Sequence, residues 1–311
     1  MRRALILFAA VAVLAGCKWS STTGSGQDTW FESVSVFDAN GANTALALNG
    51  PTLFALNNHY GLLACDVTYP DYPSLLGYAA VDGSGVAVNS DIACVAAGNL
   101  YLWDVSDPWS IDPAGEVLMP EARDVALAGS HAYVIDGNNG LLIYDVSDPW
   151  YPFEQGNCYP MLEAESITLN YPWAYVLHPW GLWIVYVSDA TDPVIVCADT
   201  LTNPTDAAVY GQYLYVTHEA GLTVYDISDK SHPNSVGSYA SYGSFQSIAI
   251  TGGYAVVCAG SAGVYLFDLS TSPDMQTSYL TAGDALSVAA YGGYIYVGCQ
   301  NAIEILRLTE W

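Results

Sequence analysis

The chain has 311 residues, with 31 Asp+Glu against 6 Lys+Arg and a formal net charge of −25. So acidic a chain offers no basic patch to neutralise phosphates, which excludes nucleic-acid binding and disfavours anionic membrane surfaces. Its 52% hydrophobic and 13% aromatic content is enough to bury one large core.

The chain opens with Met1-Arg-Arg3, a short apolar run from Ala4 to Val13, and Leu14-Ala-Gly-Cys17. A basic head followed by a run too short to span a bilayer is a secretory leader. Its ending resembles the bacterial lipoprotein lipobox, which implies cleavage before Cys17 and acylation of that residue. Residues 1–16 are therefore expected to be a signal peptide. Residues 17–29 are expected to be the lipidated Cys17 and a small polar tether, and 30–311 one folded domain. Lys18 in place of Asp favours outer-membrane sorting, so the expected address is the outer membrane or cell surface, through a lipid anchor.

Next comes Glu32-Ser-Val-Ser-Val-Phe37, a strand pattern with no neighbour of its own. From residue 61 one phrase returns: Gly61-Leu-Leu-Ala-Cys-Asp66, Asn99-Leu-Tyr-Leu-Trp-Asp104, Gly140-Leu-Leu-Ile-Tyr-Asp145, Gly181-Leu-Trp-Ile-Val-Tyr186, Gly221-Leu-Thr-Val-Tyr-Asp226, Gly263-Val-Tyr-Leu-Phe-Asp268 and a worn Ala302-Ile-Glu-Ile-Leu-Arg307. The copies stand about 40 residues apart, the period of a four-stranded propeller blade. The apolar runs are short, rich in β-branched and aromatic residues, and cut by Gly, Asn, Asp and Pro, which is strand and turn chemistry. The third copy shows the plan: strands at Asp124–Ala128 (a, innermost), His131–Ile135 (b), Leu141–Val146 (c) and Phe153–Cys158 (d, outermost). Seven copies predict an all-β, seven-bladed β-propeller of four-stranded antiparallel blades. The seventh copy ends without an outer strand, so the N-terminal strand at about 32–37 is expected to complete the last blade and close the ring.

After strand c the copies read Asp104-Val-Ser-Asp-Pro108, Asp145-Val-Ser-Asp-Pro149 and Asp226-Ile-Ser-Asp-Lys230, with Pro73, Pro152, Pro193 and Pro233 close behind. With the preceding Gly-Leu-x-Ile-Tyr, this is similar to the LVIVD repeat, a family of exported bacterial and archaeal proteins. The resemblance implies a propeller outside the cytoplasm and says little of biochemistry. The Asp and Ser side chains read as turn acceptors for backbone N–H groups, since a calcium loop needs more converging oxygens.

Cys65, Cys94, Cys158, Cys197, Cys258 and Cys299 make an even count in an exported chain, which permits disulfides; Cys258 and Cys299, on strands b of adjacent copies, are the pair to inspect. No metal site or cofactor is expected from the spacing. Residues just beyond strand b fall on one rim with the d–a loops. They include Asp136, His178 and His218, with His59, Tyr60, Trp180 and Glu219 nearby, while Glu121, Arg123, Asp124, Glu163, Glu165 and Asp206 come from the loops. Asp136, His178, Trp180, His218, Glu219, Glu163 and Glu165 are the candidate ligand-binding residues. Aromatic faces with carboxylates suit a sugar or a peptide. Trp109 and Trp150 occupy matching turns on the other rim and are candidate interface residues. No Gly-x-Ser-x-Gly elbow, His-Glu-x-x-His or phosphate loop is present. The expected function is a monomeric, non-catalytic, lipid-anchored binding or adhesion scaffold for a protein or surface glycan. A carbohydrate-active or other hydrolase using the acidic and His rim, and an architectural component of outer-membrane assembly, are the alternatives.

Overall fold

The structure is a computed structural model, and it describes residues 29–159, 161–201, 203–241, 243–269 and 274–310. The segments expected to be the leader and lipobox, with Cys17, lie outside the described residues.

Strand β1 (Thr29–Asp38) is followed by β2 (Asn43–Asn49), β3 (Thr52–Asn57), β4 (Gly61–Asp66) and β5 (Ser74–Ala79); β2 to β5 pair in order as one antiparallel sheet. Strands β6 (Gly85–Val88), β7 (Ile92–Asp104), β8 (Asp112–Ala128), β9 (His131–Asp136), β10 (Gly140–Asp145) and β11 (Phe153–Cys158) form one six-stranded sheet. Two four-stranded sheets follow. One holds β12 (Ser166–Asn170), β13 (Trp173–His178), β14 (Gly181–Tyr186) and β15 (Val194–Thr200); the other holds β16 (Pro204–Tyr210), β17 (Tyr213–His218), β18 (Gly221–Asp226) and β19 (Asn234–Ala240). A further sheet comprises β20 (Ser247–Thr251), β21 (Tyr254–Cys258), β22 (Val264–Asp268) and β23 (Asp274–Tyr279). The last sheet joins β24 (Ala285–Tyr291), β25 (Tyr294–Cys299) and β26 (Ala302–Glu310) to β1, in the order β1-β26-β25-β24. The N-terminal strand thus closes the ring, with Thr29 opposite Glu310 and Asp38 opposite Ala302.

The fold is an all-β propeller, but the expected count of seven four-stranded blades is corrected. Five sheets are four-stranded blades; the second and third sequence copies share the six-stranded sheet instead of forming two separate blades. The cause is local. β7 doubles back at Gly98, whose φ of 75° suits glycine, and Val105 N–H donates to Asp91 C=O at 2.9 Å across the base of that hairpin. β8 then runs through 17 residues. Its first part pairs with β7, from Asp104↔Asp112 to Leu100↔Val117, and its second with β9, from Asp124↔Ile135 to Ala128↔His131. The outer strand of copy two therefore continues into the inner strand of copy three, where the other copies have a loop.

The b and c strands are buried almost throughout, as in β3 and β4 or β9 and β10. Apolar side chains on both faces fit sheets stacked face to face. Tyr133, Ile135 and Ile143 pack on Ala174, Val176 and Val185 of the next sheet. The two ends of the six-stranded sheet also pack on each other, Ile92, Cys94 and Leu102 against Ala132, Val134 and Leu142. Across the seam, Leu53, Ala55 and Leu63 meet Tyr296, Ile303 and Ile305. Each Leu, Ile or Val among them contributes about 1.5–3 kcal/mol by leaving water.

The inner strands are tied to one another by side chains. Asp124 Oδ2 accepts Ser166 Oγ–H and Ile167 N–H from the next sheet, both at 2.9 Å, and Asp206 Oδ2 accepts Ile248 N–H at 2.9 Å. Burial pushes both carboxyls up to about 6, against the pull of these hydrogen bonds. At the seam Asn43 is fully buried, and its Nδ2 donates to the carbonyls of Cys299 and Ala302, each at 3.0 Å. Cys258 and Cys299 lie in one core cluster as free thiols; Cys65, Cys94, Cys158 and Cys197 are free as well. Burial pushes the Cys65, Cys94 and Cys299 thiols up to about 12, so they pack as small hydrophobes.

Candidate functional site

Four strand ends on one rim carry a polar side chain at the same place, and all four do the same local task. Asn57 Oδ1 accepts the N–H groups of His59 and Tyr60, both at 2.9 Å. Asp136 Oδ1 accepts those of Asn138 and Asn139 at 3.0 and 2.8 Å, and its Oδ2 takes Glu121 N–H at 2.9 Å. His178 Nδ1 accepts Trp180 N–H, and His218 Nδ1 accepts Ala220 N–H, each at 3.2 Å. Each side chain folds back over the turn that follows it, the work usually done by Asn or Asp. Asp136 is fully buried and both its oxygens are engaged. In both histidines the acceptor role requires an unprotonated Nδ1, which puts the neutral ring's hydrogen on Nε2. His218 Nε2 lies 3.1 Å from Thr223 Oγ1.

Burial lowers the His218 pKa from its ordinary value. A group with a depressed folded pKa contributes stability above its unfolded value, and that contribution is lost as pH falls. His218→Ala is expected to cost about 1 kcal/mol at pH 7.5 in urea unfolding. His218→Asn should keep most of that stability, because Asn57 performs the same task. It should also lose less than wild type between pH 7 and pH 5. Equal acid sensitivity in wild type and His218→Asn would remove this assignment.

The other candidate residues are distributed over successive sheets. Trp180 is 64% exposed and His178 lies against it, with ring centroids 5.1 Å apart, while also stacking on Trp183 at 5.4 Å. Glu219 is exposed and accepts a hydrogen bond from Asn203 Nδ2 at 3.2 Å. Glu163 and Glu165 are exposed on either side of buried Ala164. Glu163 N–H reaches Gly137 C=O at 2.7 Å, which brings its loop to the turn after Asp136. There Arg123 pairs with Glu121 at 2.8 Å and donates to Ala164 C=O at 3.3 Å. One small cluster thus unites Glu121, Arg123, Asp136 and Glu163, while His178 and His218 sit one and two sheets further on. Asp124 and Asp206 are placed on the inner strands, as ties between sheets.

A cleft of about 660 Å³ opens elsewhere on the ring, between the β5–β6 connection and strands β7 and β8. Its walls include Val81, Asp82, Tyr101, Trp103 and Glu116. An adjoining hollow of about 280 Å³ shares Ala80 to Asp82 and adds Asn57 to Gly61. Tyr60 stands edge-on to His59 at 4.7 Å and 5.6 Å from Tyr78. Asn99 Nδ2 donates to Glu116 Oε1 at 2.7 Å, and the Trp103 Nε1–H is buried with no hydrogen-bond partner. The ion pairs among the described residues are Arg123–Glu121, His232–Asp229 and Arg307–Glu32, so neither Asp82 nor Glu116 has a cationic partner in this set. The cleft therefore presents aromatic faces and two exposed carboxylates.

The opposite rim is built from the repeated Asp-x-Ser-Asp. Asp104, Asp145 and Asp226 accept the N–H of Ser106, Ser147 and Ser228 at 2.8–3.0 Å. Asp107, Asp148, Asp189 and Asp229 repeat the bond to Trp109, Trp150, Thr191 and Ser231 at 2.9–3.1 Å. Hydrogen bonds from Ser106 and Ser147 hold the Asp104 and Asp145 carboxyls below their ordinary range. Trp109 and Trp150 project from matching turns, 68% and 53% exposed.

This turn geometry is the tail of a known repeat, whose profile, the LVIVD repeat, matches residues 121–159, 203–241, 242–281 and 282–306. The chain carries LVIVD repeats. Among solved structures it is similar to the crystal structure of the computationally designed Ika8 protein, with a TM-score of 0.67 and 8% identity over 91% of this chain and all of that one. At that identity the likeness shows the fold alone. No curated protein matches the chain.

The LVIVD pattern also explains what sequence reasoning missed. The cleft falls in copy two, outside the matched stretches, where Gly98 replaces the longer turns at 58–60 and 137–139. A shortened turn beside Tyr101 and Trp103 was the available signal. Among the described residues no group of three or more His, Cys, Asp or Glu is placed to hold a metal ion.

Proposed function

We propose that this LVIVD-repeat propeller is a non-catalytic binding scaffold of the cell envelope, lipid-anchored at Cys17, that recognises a protein or surface glycan through the cleft over β7 and β8. The observation that carries the reading is the cleft itself, with its aromatic walls and its exposed carboxylates without a cationic partner. Such a surface offers stacking and hydrogen bonds in one place. The rim histidines and Asp136 already serve their own turns, which supports scaffold over catalyst.

The test is affinity capture from the native envelope. A Tyr101→Ala/Asp82→Asn/Glu116→Gln variant should lose the captured partner. A His178→Ala/His218→Ala/Trp180→Ala variant should retain it. The reverse pattern would move the site back to the histidine rim, and capture unchanged in both would sink the reading. Separately, Cys17→Ser should shift the protein from the membrane fraction to the soluble fraction.

A further inference from the structure

Strand direction decides which rim the lipid anchor leaves from. β26 starts at Ala302, beside the turns that end strands b, and finishes at Glu310 on the opposite rim; β1 runs antiparallel to it, with Thr29 opposite Glu310. Thr29 therefore stands on the rim of the Asp-x-Ser-Asp turns. Only eleven residues lie between Cys17 and Thr29, and that length reaches at most about 40 Å when fully extended. Strands of six residues alone span roughly 20 Å. An anchor at Cys17 thus meets the Asp-x-Ser-Asp rim first, and the rim of Asn57, Asp136, His178 and His218 lies farthest from it.

A second observation concerns what that rim carries. Tyr69, Tyr72, Trp109, Trp150 and Tyr151 are each more than half exposed, and they occupy the turns after β4, within the β7–β8 connection and after β10. These are successive turns. The corresponding turns further round carry Thr191 and Asp192, then Ser231 and His232. The first of these turns packs against the middle of β1, where Ser35 donates its hydroxyl hydrogen to Pro70 C=O, six residues along the strand from Thr29. The turns are held in place: Asp107 and Asp148 accept the N–H groups of Trp109 and Trp150, and the Pro108 and Trp109 carbonyls sit against Gly77.

We propose that this arc rests in the headgroup layer of the bilayer that holds Cys17, with the rim of Asn57, Asp136, His178 and His218 facing away from the membrane; the inference rests on the lipid-anchor reading of Cys17. Tyr and Trp are the side chains that settle at membrane interfaces, an apolar ring on one side and a polar tip on the other. Asp71, Asp107 and Asp148 on the same turns repel anionic lipid. The surface that fits is zwitterionic.

The experiment couples Cys17 of the chain from Cys17 onward to a maleimide-bearing phospholipid, which anchors it whether or not cells acylate that residue. The vesicles are phosphatidylcholine and phosphatidylethanolamine with brominated acyl chains that quench tryptophan fluorescence on contact. Quenching is expected, and it should fall about twofold in Trp109→Phe/Trp150→Phe. Trp180→Phe, on the far rim, should leave it unchanged, and replacing part of the lipid with phosphatidylglycerol should weaken it. Equal quenching in wild type and the double variant, or its loss in Trp180→Phe, would overturn the proposal. If Cys17→Ser stays with the membrane fraction in cells, the anchor reading fails on its own account, while the coupled chain still reports on the arc.

Discussion

A chain lacking β1 is expected not to reach its folded state, and moving that strand to the other end is expected to restore it. β1 pairs residue by residue along β26 and covers an edge that would otherwise be open. It buries Phe31 against Leu266, Val288 and Leu306, and it places Glu32 2.8 Å from Arg307. The ion pair is exposed and contributes little. The ring contributes far more: Phe31→Ala should cost about 3–4 kcal/mol in urea unfolding. Deleting residues 29–38 removes all of this and leaves β26 as an unpaired edge prone to association. A permuted chain with residues 29–42 joined after Trp311 should elute as a folded monomer with a cooperative melt. A cooperative melt from the deleted chain would show that the ring does not depend on its seam.

The second large effect is steric. Gly156 on β11 faces the backbone of the neighbouring turn, and a Cβ added there would lie 2.1 Å from Ala190 C=O. Gly115 and Gly77 show the same arrangement, against the carbonyls of Pro149 and Pro108. Three outer strands, β5, the first part of β8 and β11, thus receive the following turn at a glycine. Backbone cannot swing aside as a side chain can, so Gly156→Ala is expected to cost about 2–3 kcal/mol. The thermal midpoint should fall by roughly 5 °C. Gly243→Ala is the control: nothing lies within 4 Å of the added atom, and the midpoint should stay put. Equal effects at the two positions would show that the contact does not matter.

The periodicity of the chain carried most of the fold. Strand chemistry, the closing strand and the turn role of the repeated Asp were legible because each rests on local pattern and a fixed repeat. The blade count failed at a single place. A prolyl residue normally interrupts a strand, and Pro120 stood where a loop was expected between Val117 and Ala122. The pairing skips that stretch, and β8 runs on beyond it. Equal repeats in sequence did not force equal breaks in the sheets.

The site was less legible, for a chemical reason. His178 and His218 stood out as departures from the pattern, yet position mattered more than type. An unprotonated ring nitrogen accepts a backbone N–H as an Asn or Asp oxygen does, so the departures were substitutions within one structural role. The cleft announced itself only by a missing turn. Its shape depends on the β5–β6 connection meeting β7 and β8, which a single sequence does not display.

The seam held by Asn43 and β1 sets an order of events in time. The first described strand of this chain finds its partner some 270 positions later, among residues made long after it. Until those residues arrive the ring stays open beside β1. The step that locks the structure therefore waits for residues 302–310.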